Sequence, residues 1–248
     1  MKSKPATVIC LVAVSLLFAG FARAESEKEK QCQEIARLFR AARKVMSDHQ
    51  ALINDATKGD KGLDAATVVR KTKENFQADL GRSVDDTPAA SPIGVADAAL
   101  LAAVAEVMAD AQPLINEPGK GFKGFLPAVF ARQVADKFTA RMNGRMAIKL
   151  TAPKDLLRNR ANRADEWESA AIETKFRSAG WENGRVFAEA ADHKGRPAFR
   201  YLLPEYYGAS CLACHGEPKG QPDITGGVKE GAKLGDLGGA ISIAIYEN

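Results

Sequence analysis

The sequence predicts an α+β protein, a duplicated helical region followed by a small antiparallel sheet with helices. Three observations carry this prediction. Apolar residues recur at helical spacing through residues 30–54 and 95–114. The first half of the chain matches itself at an offset of 62 residues. After Arg145 the period shortens to two, and turn residues separate short alternating stretches.

The chain opens on a basic Met1-Lys2-Ser3-Lys4, continues through the apolar stretch Val8 to Phe21, and reaches Ala22-Arg23-Ala24. That pattern predicts a signal peptide cleaved after Ala24 and a periplasmic product. Removing Lys2, Lys4 and Arg23, with no acidic residue, lowers the formal charge from +4 to +1. So small an excess argues against nucleic acid or an acidic membrane as partner. No later stretch reads as long and apolar enough to cross a membrane. Cys10 leaves with the leader, so Cys32, Cys211 and Cys214 remain, an odd count that is no disulfide framework.

From Ala36 to Phe76, 17 of 41 aligned pairs are identical to residues 98–138, without a gap. They include Leu52-Ile53-Asn54, Lys58-Gly59, Lys61-Gly62 and Phe76. Each unit reads as helix, glycine-containing turn, helix. The glycines suit left-handed helix ends, and the lysines suit the negative end of the helix dipole. Residues 85–94 form a Pro/Ser/Gly-rich connector. These patterns divide the chain into residues 25–125, a helical region holding the first unit and the start of the second, and residues 126–248.

In the second region Pro127 to Met142 is a helix and Met146 to Thr151 a strand. Residues 165–180 read as a helix, with Asp165 and Glu168 forming a capping box. Trp167 and Trp181 are expected to be packing residues. Strand residues flank Asp192-His193-Lys194-Gly195 as a hairpin, and 238–247 is the last strand.

Cys211-Leu212-Ala213-Cys214-His215 carries the chemistry. A redox dithiol belongs at a helix start after the first strand of a βαβ unit, and this motif lies late. Structural zinc needs four ligands, for which only Cys32, His49 and His193 remain. C-x-x-C-H in an exported chain is instead the signature of covalent haem c. Its spacing lets two thiols reach the two vinyl groups of one haem, with the adjacent histidine as iron ligand. Arg158, Arg160 and Arg163 offer guanidinium forks suited to a propionate carboxylate.

The segments "LRNRANRADEWE" (157–168), "GRPAFRYLLPEYYGASCLACHG" (195–216) and "KLGDLGGAISI" (233–243) resemble the PAS-like haem c domain family described from cyanobacteria. The resemblance covers about residues 126–248. It implies a PAS-like antiparallel sheet, one covalent haem held by Cys211 and Cys214 with His215 on the iron, and redox or sensory roles. A described member adds a cysteine ligand from the helix before the sheet. The matching helix here has no cysteine, and Phe130 stands in its place. The sixth position is therefore left to Cys32, His49, His193, a methionine (Met46, Met108, Met142 or Met146), or a small gas or anion. The expected function is redox or small-ligand sensing, or electron relay, passed to a separate redox or signalling protein. The alternative is a haem enzyme such as a peroxidase, which would need a distal acid–base residue.

Overall fold

In the computed structural model, residues 8–247 are described, with side chains from Ser26 onward. The expected leader and its cleavage site fall outside the residues described in full. The elements run α1 (Val8–Asp48), α2 (Gln50–Ile53), α3 (Ala65–Leu80), α4 (Pro92–Ile115), α5 (Pro127–Arg141), β1 (Met146–Thr151), α6 (Glu166–Ala171), β2 (Phe187–His193), β3 (Arg196–Tyr206), α7 (Leu212–His215) and β4 (Leu237–Tyr246). The class is α+β. The four strands form an antiparallel sheet in the order β1-β4-β3-β2.

Local chemistry sets most boundaries. Asp64 caps α3 by accepting from Thr67 N at 2.7 Å, and Gly81 ends it in the left-handed region at φ 70°. Ser91 caps α4 with Pro92 in the first turn. Gly94 is needed there, because a Cβ would lie 2.3 Å from Pro88 O. Asp165 and Glu168 form the expected capping box. The helix they open is shorter than expected: α6 ends at Ala171 and passes into a π turn, Ile172–Phe176. The hairpin between β2 and β3 turns on Lys194 and Gly195, both at positive φ.

The duplication is visible in the packing. Equivalent residues Leu38 and Leu100, Met46 and Met108, Ile53 and Ile115, and Phe76 and Phe138 are all fully buried. The two glycine-lysine turns cross reciprocally. Asn116 Oδ1 accepts from Lys61 N at 3.0 Å, and its counterpart Asn54 Oδ1 accepts from Lys123 N at 3.2 Å. Gln112 Nε2 donates to Leu63 O at 3.0 Å, and Gln50 Nε2 to Phe125 O at 3.3 Å. The two units are therefore related by an approximate two-fold axis, each completing the other's turn. The ammonium groups of Lys61 and Lys123 are buried in these turns and donate to backbone carbonyls of the turns themselves, Asp55 O and Lys58 O after α2 and Glu117 O after α4. The sequence placed these lysines at the helix dipoles; in the structure they close the turns beyond the helix C-caps instead.

α4 corrects one expectation. It has 24 residues, and an 18-residue window within it has a mean hydropathy of 1.7, long and apolar enough to cross a membrane. In the structure it packs on α1, α3 and α5 and buries Leu100, Val104, Val107 and Met108. A helix packed on three others meets the same compositional test as a membrane span.

Helices and sheet share one apolar core. It runs from Cys32 and Ile35 on α1, through the four long helices, to Tyr201, Leu203, Ile241 and Ile243 on the sheet. The opposite face of the sheet is covered by α6 and the π turn through Ala171, Ile172 and Phe176, with Trp167 and Trp181 packed beside them. β3 is thus covered on both faces, which explains its nearly continuous burial.

Candidate functional site

β3 and β4 hold the motif between them. Where the ladder ends, Tyr207 N donates to Asp236 O and Gly235 N to Tyr207 O, each at 2.9 Å. These bonds close the base of a loop over residues 207–236. A short turn, Ala209–Cys211, leads into the single helical turn of α7. That turn sets Cys211, Cys214 and His215 at i, i+3 and i+4, on one face. Gly216 lets the chain leave directly after the histidine, since a Cβ there would lie 2.5 Å from Leu212 O.

Cys211 and Cys214 are free thiols, each partly exposed. Burial and Asp223 raise the pKa of the Cys214 thiol. The His215 ring stacks on Tyr207 at 4.9 Å and 27°. Its Nδ1 lies 2.9 Å from Glu230 Oε2 and 3.4 Å from the Tyr207 hydroxyl. Burial works against ionising Glu230, but bonds from Arg158 and His215 outweigh it and hold the carboxyl below its ordinary range. An ionised carboxylate only accepts, so the proton belongs on Nδ1, and in the neutral ring Nε2 keeps its lone pair.

Arg158 supports this arrangement from another part of the chain. Its Nε donates to Glu230 Oε1 at 2.5 Å, and its Nη2 to Glu230 Oε2 at 2.9 Å, Cys214 O at 2.8 Å and Val228 O at 2.9 Å. Its Nη1 bonds Asp223. Asp223 is lowered to about 2: burial opposes its charge, but Thr225 and Arg158 prevail. Arg158 meets carboxylates as expected, but they belong to the protein. The Nε and Nη2 donors are engaged in these bonds, and Nη1 keeps a second N–H beside the one given to Asp223. Arg160 and Arg163 are exposed.

The candidate sixth ligands lie in different places. Cys32 is fully buried in α1, and burial and Glu29 push its thiol well above the ordinary range, so it stays protonated. His193 bonds the Tyr246 hydroxyl at 2.8 Å at the hairpin end of β3. The motif follows the other end of that strand, roughly 30 Å away at the strand rise. Met46 and Met108 are buried in the bundle, and Met142 and Met146 at the far end of β1. Phe130 is buried with its ring 6.1 Å from that of Phe125, and the ring stacked on His215 is Tyr207. His49 differs. It lies between α1 and α2, its Nδ1 is 2.8 Å from Val45 O, and Nε2 has no protein partner among the described residues. α1 touches the Ala209–Cys211 turn, and upstream its Arg40 and Arg43 clamp Glu205 on β3. Among the described residues no three His, Cys, Asp or Glu side chains are grouped to hold a metal ion, so the zinc alternative lacks a ligand set.

The structure adds Tyr207, Asp223 and Glu230 to the site, none of which the sequence singled out. Glu230 lies fifteen residues beyond His215 in a glycine-rich loop, where no spacing rule points to it. The structure also shows Ile224, Val228 and Leu234, large apolar residues of that loop, to be exposed. The donor set suits a covalently held iron macrocycle, with two thiols on the face that carries a histidine and a carboxylate behind the ring.

A family model described as Tll0287-like: Tll0287 matches residues 22–245. The crystal structure of the cyanobacterial heme-protein Tll0287 aligns at 20% identity over 48% of this chain and 70% of that one, with a TM-score of 0.37. A search of curated proteins finds no match.

Proposed function

Because the chain belongs to the Tll0287-like family, we propose that it is a haem-binding protein of the c type, carrying one haem and acting in redox or small-ligand sensing. The observation that carries the reading is the motif turn, where two free thiols share a face with a histidine whose Nδ1 is already taken by Glu230. Cys211 and Cys214 would form the thioethers, and His215 Nε2 would hold the iron. The haem would supply a one-electron couple and a metal able to bind small ligands. The protein's part is to fix the histidine, limit solvent on its side, and hand the signal or electron to a partner. The basic leader and its A-x-A site support export to the periplasm, where this attachment chemistry operates.

Among the other candidate ligands, a protonated core thiol, a distant histidine and buried methionines favour a far side open to a small ligand. A peroxidase is not favoured. It needs a free acid–base side chain near the iron, and His193 is bonded to Tyr246 at the far end of β3, which leaves His49 as the one histidine to supply it.

One preparation tests this reading. Protein made in a host that attaches haem c should have the mass of residues 25–248 plus one haem, retained after acid–acetone extraction. When reduced, it should bind carbon monoxide. A bare-chain mass would reject haem attachment. A low-spin reduced spectrum indifferent to carbon monoxide would reject the open site and turn attention to His49.

A further inference from the structure

Glu230 lies outside the attachment motif, yet its carboxylate is the group bonded to the side of the His215 ring away from Nε2. We infer that Glu230 is a positioning residue for the iron: it holds Nδ1–H of His215, aims Nε2 at the metal and makes the ring a stronger donor. This inference rests on the haem reading.

The geometry makes the contact a fixed one. Glu230 is held through both oxygens by Arg158, at 2.5 and 2.9 Å. Arg158 is anchored in turn by Asp223 and by the carbonyls of Cys214 and Val228, which ties the motif turn to the returning loop. Ala232 N closes the same loop onto His215 O at 2.8 Å. Tyr207, stacked on the ring, restricts its rotation. The carboxylate is thus placed by four segments of chain.

A carboxylate on the far nitrogen draws the Nδ1 proton toward itself and leaves more electron density on Nε2. A stronger axial donor favours ferric over ferrous iron, so this contact should lower the reduction potential. Glu230→Gln keeps an acceptor at the same distance but removes the charge. Its midpoint potential should move upward, with the haem still attached.

Asp223→Asn is the control. It removes a negative charge from the same Arg158 cluster without touching His215, and should move the potential by less. Glu230→Asp keeps the charge but withdraws the carboxylate by one methylene, so its shift should be upward and smaller than that of Glu230→Gln. An unchanged potential in Glu230→Gln, or an equal shift in Asp223→Asn, would overturn the assignment. If Glu230→Gln does not accumulate, Glu230→Asp decides, and a wild-type potential there overturns it. Wild-type protein lacking haem by mass would instead overturn the reading beneath it.

Discussion

At the scale of single residues, one buried carboxyl sets a pH dependence unrelated to the motif. Asp97, in the second turn of α4, is 3% exposed, and neither carboxylate oxygen has a hydrogen-bond partner among the described residues. Burial and then Glu34 raise its pKa to about 7, against a smaller pull from Arg82. The folded value lies above the unfolded one, so the folded state holds a proton that the unfolded chain gives up. The stability this provides is complete below about pH 4 and is lost as pH rises through 7. Between pH 5 and 8 urea unfolding should show a loss on the order of 2–3 kcal/mol. Asp97→Asn, which cannot ionise, should remove most of that slope. A slope unchanged in the variant would assign the pH dependence to other groups. Residues that act on near neighbours were legible in the sequence: Asp165 and Glu168 bond one another's backbone three residues apart, as their types and spacing require. Glu230 was not, because its partners Arg158 and His215 reach it from distant parts of the chain.

At the scale of elements, the two repeat units act as mutual caps. Asn54 and Asn116 each accept from a backbone N–H in the other unit's turn, beside a buried lysine. Replacing either by alanine leaves that N–H unpaired, at a cost of about 1–2 kcal/mol. Asn54→Ala and Asn116→Ala should therefore lower stability by similar amounts in denaturant titration. If one is costly and the other neutral, the two turns are not equivalent and the approximate symmetry is only one of shape. The 62-residue match identified the units, but it could not show that their turns cross. An internal match reports similarity between segments and carries no information on which surfaces meet. α4 teaches the same lesson, since its apolar composition suits a lipid or a protein neighbour equally, and only packing distinguishes them.

At the scale of the whole molecule, the apolar core continues from the helical bundle into the sheet across residues 125 and 126, where the sequence suggested a division. Phe125 and Phe130 lie on either side of that point and pack edge to face. α5 belongs to the second unit of the repeat and yet lies along β1. Unfolding should accordingly be a single cooperative transition, with helical and sheet-side probes coincident. Two separated transitions would instead support two independent domains, the division drawn from the repeat.

The sequence by itself determined the α+β class, the duplicated helix–turn–helix, the capping box, the hairpin and the C-x-x-C-H turn. Each of these depends on periodicity or on hydrogen bonds between residues a few positions apart, so the order of residues is enough to specify it. Tertiary structure alone decided that Arg158 serves Glu230 and Asp223, that Glu230 stands behind His215, that Cys32 is buried as a protonated thiol, and that α4 packs against the other three long helices. These outcomes depend on which distant segments share a site and exclude water from it. Burial then sets both the strength of each contact and the charge state of each group, and neither is encoded in the spacing of neighbouring residues.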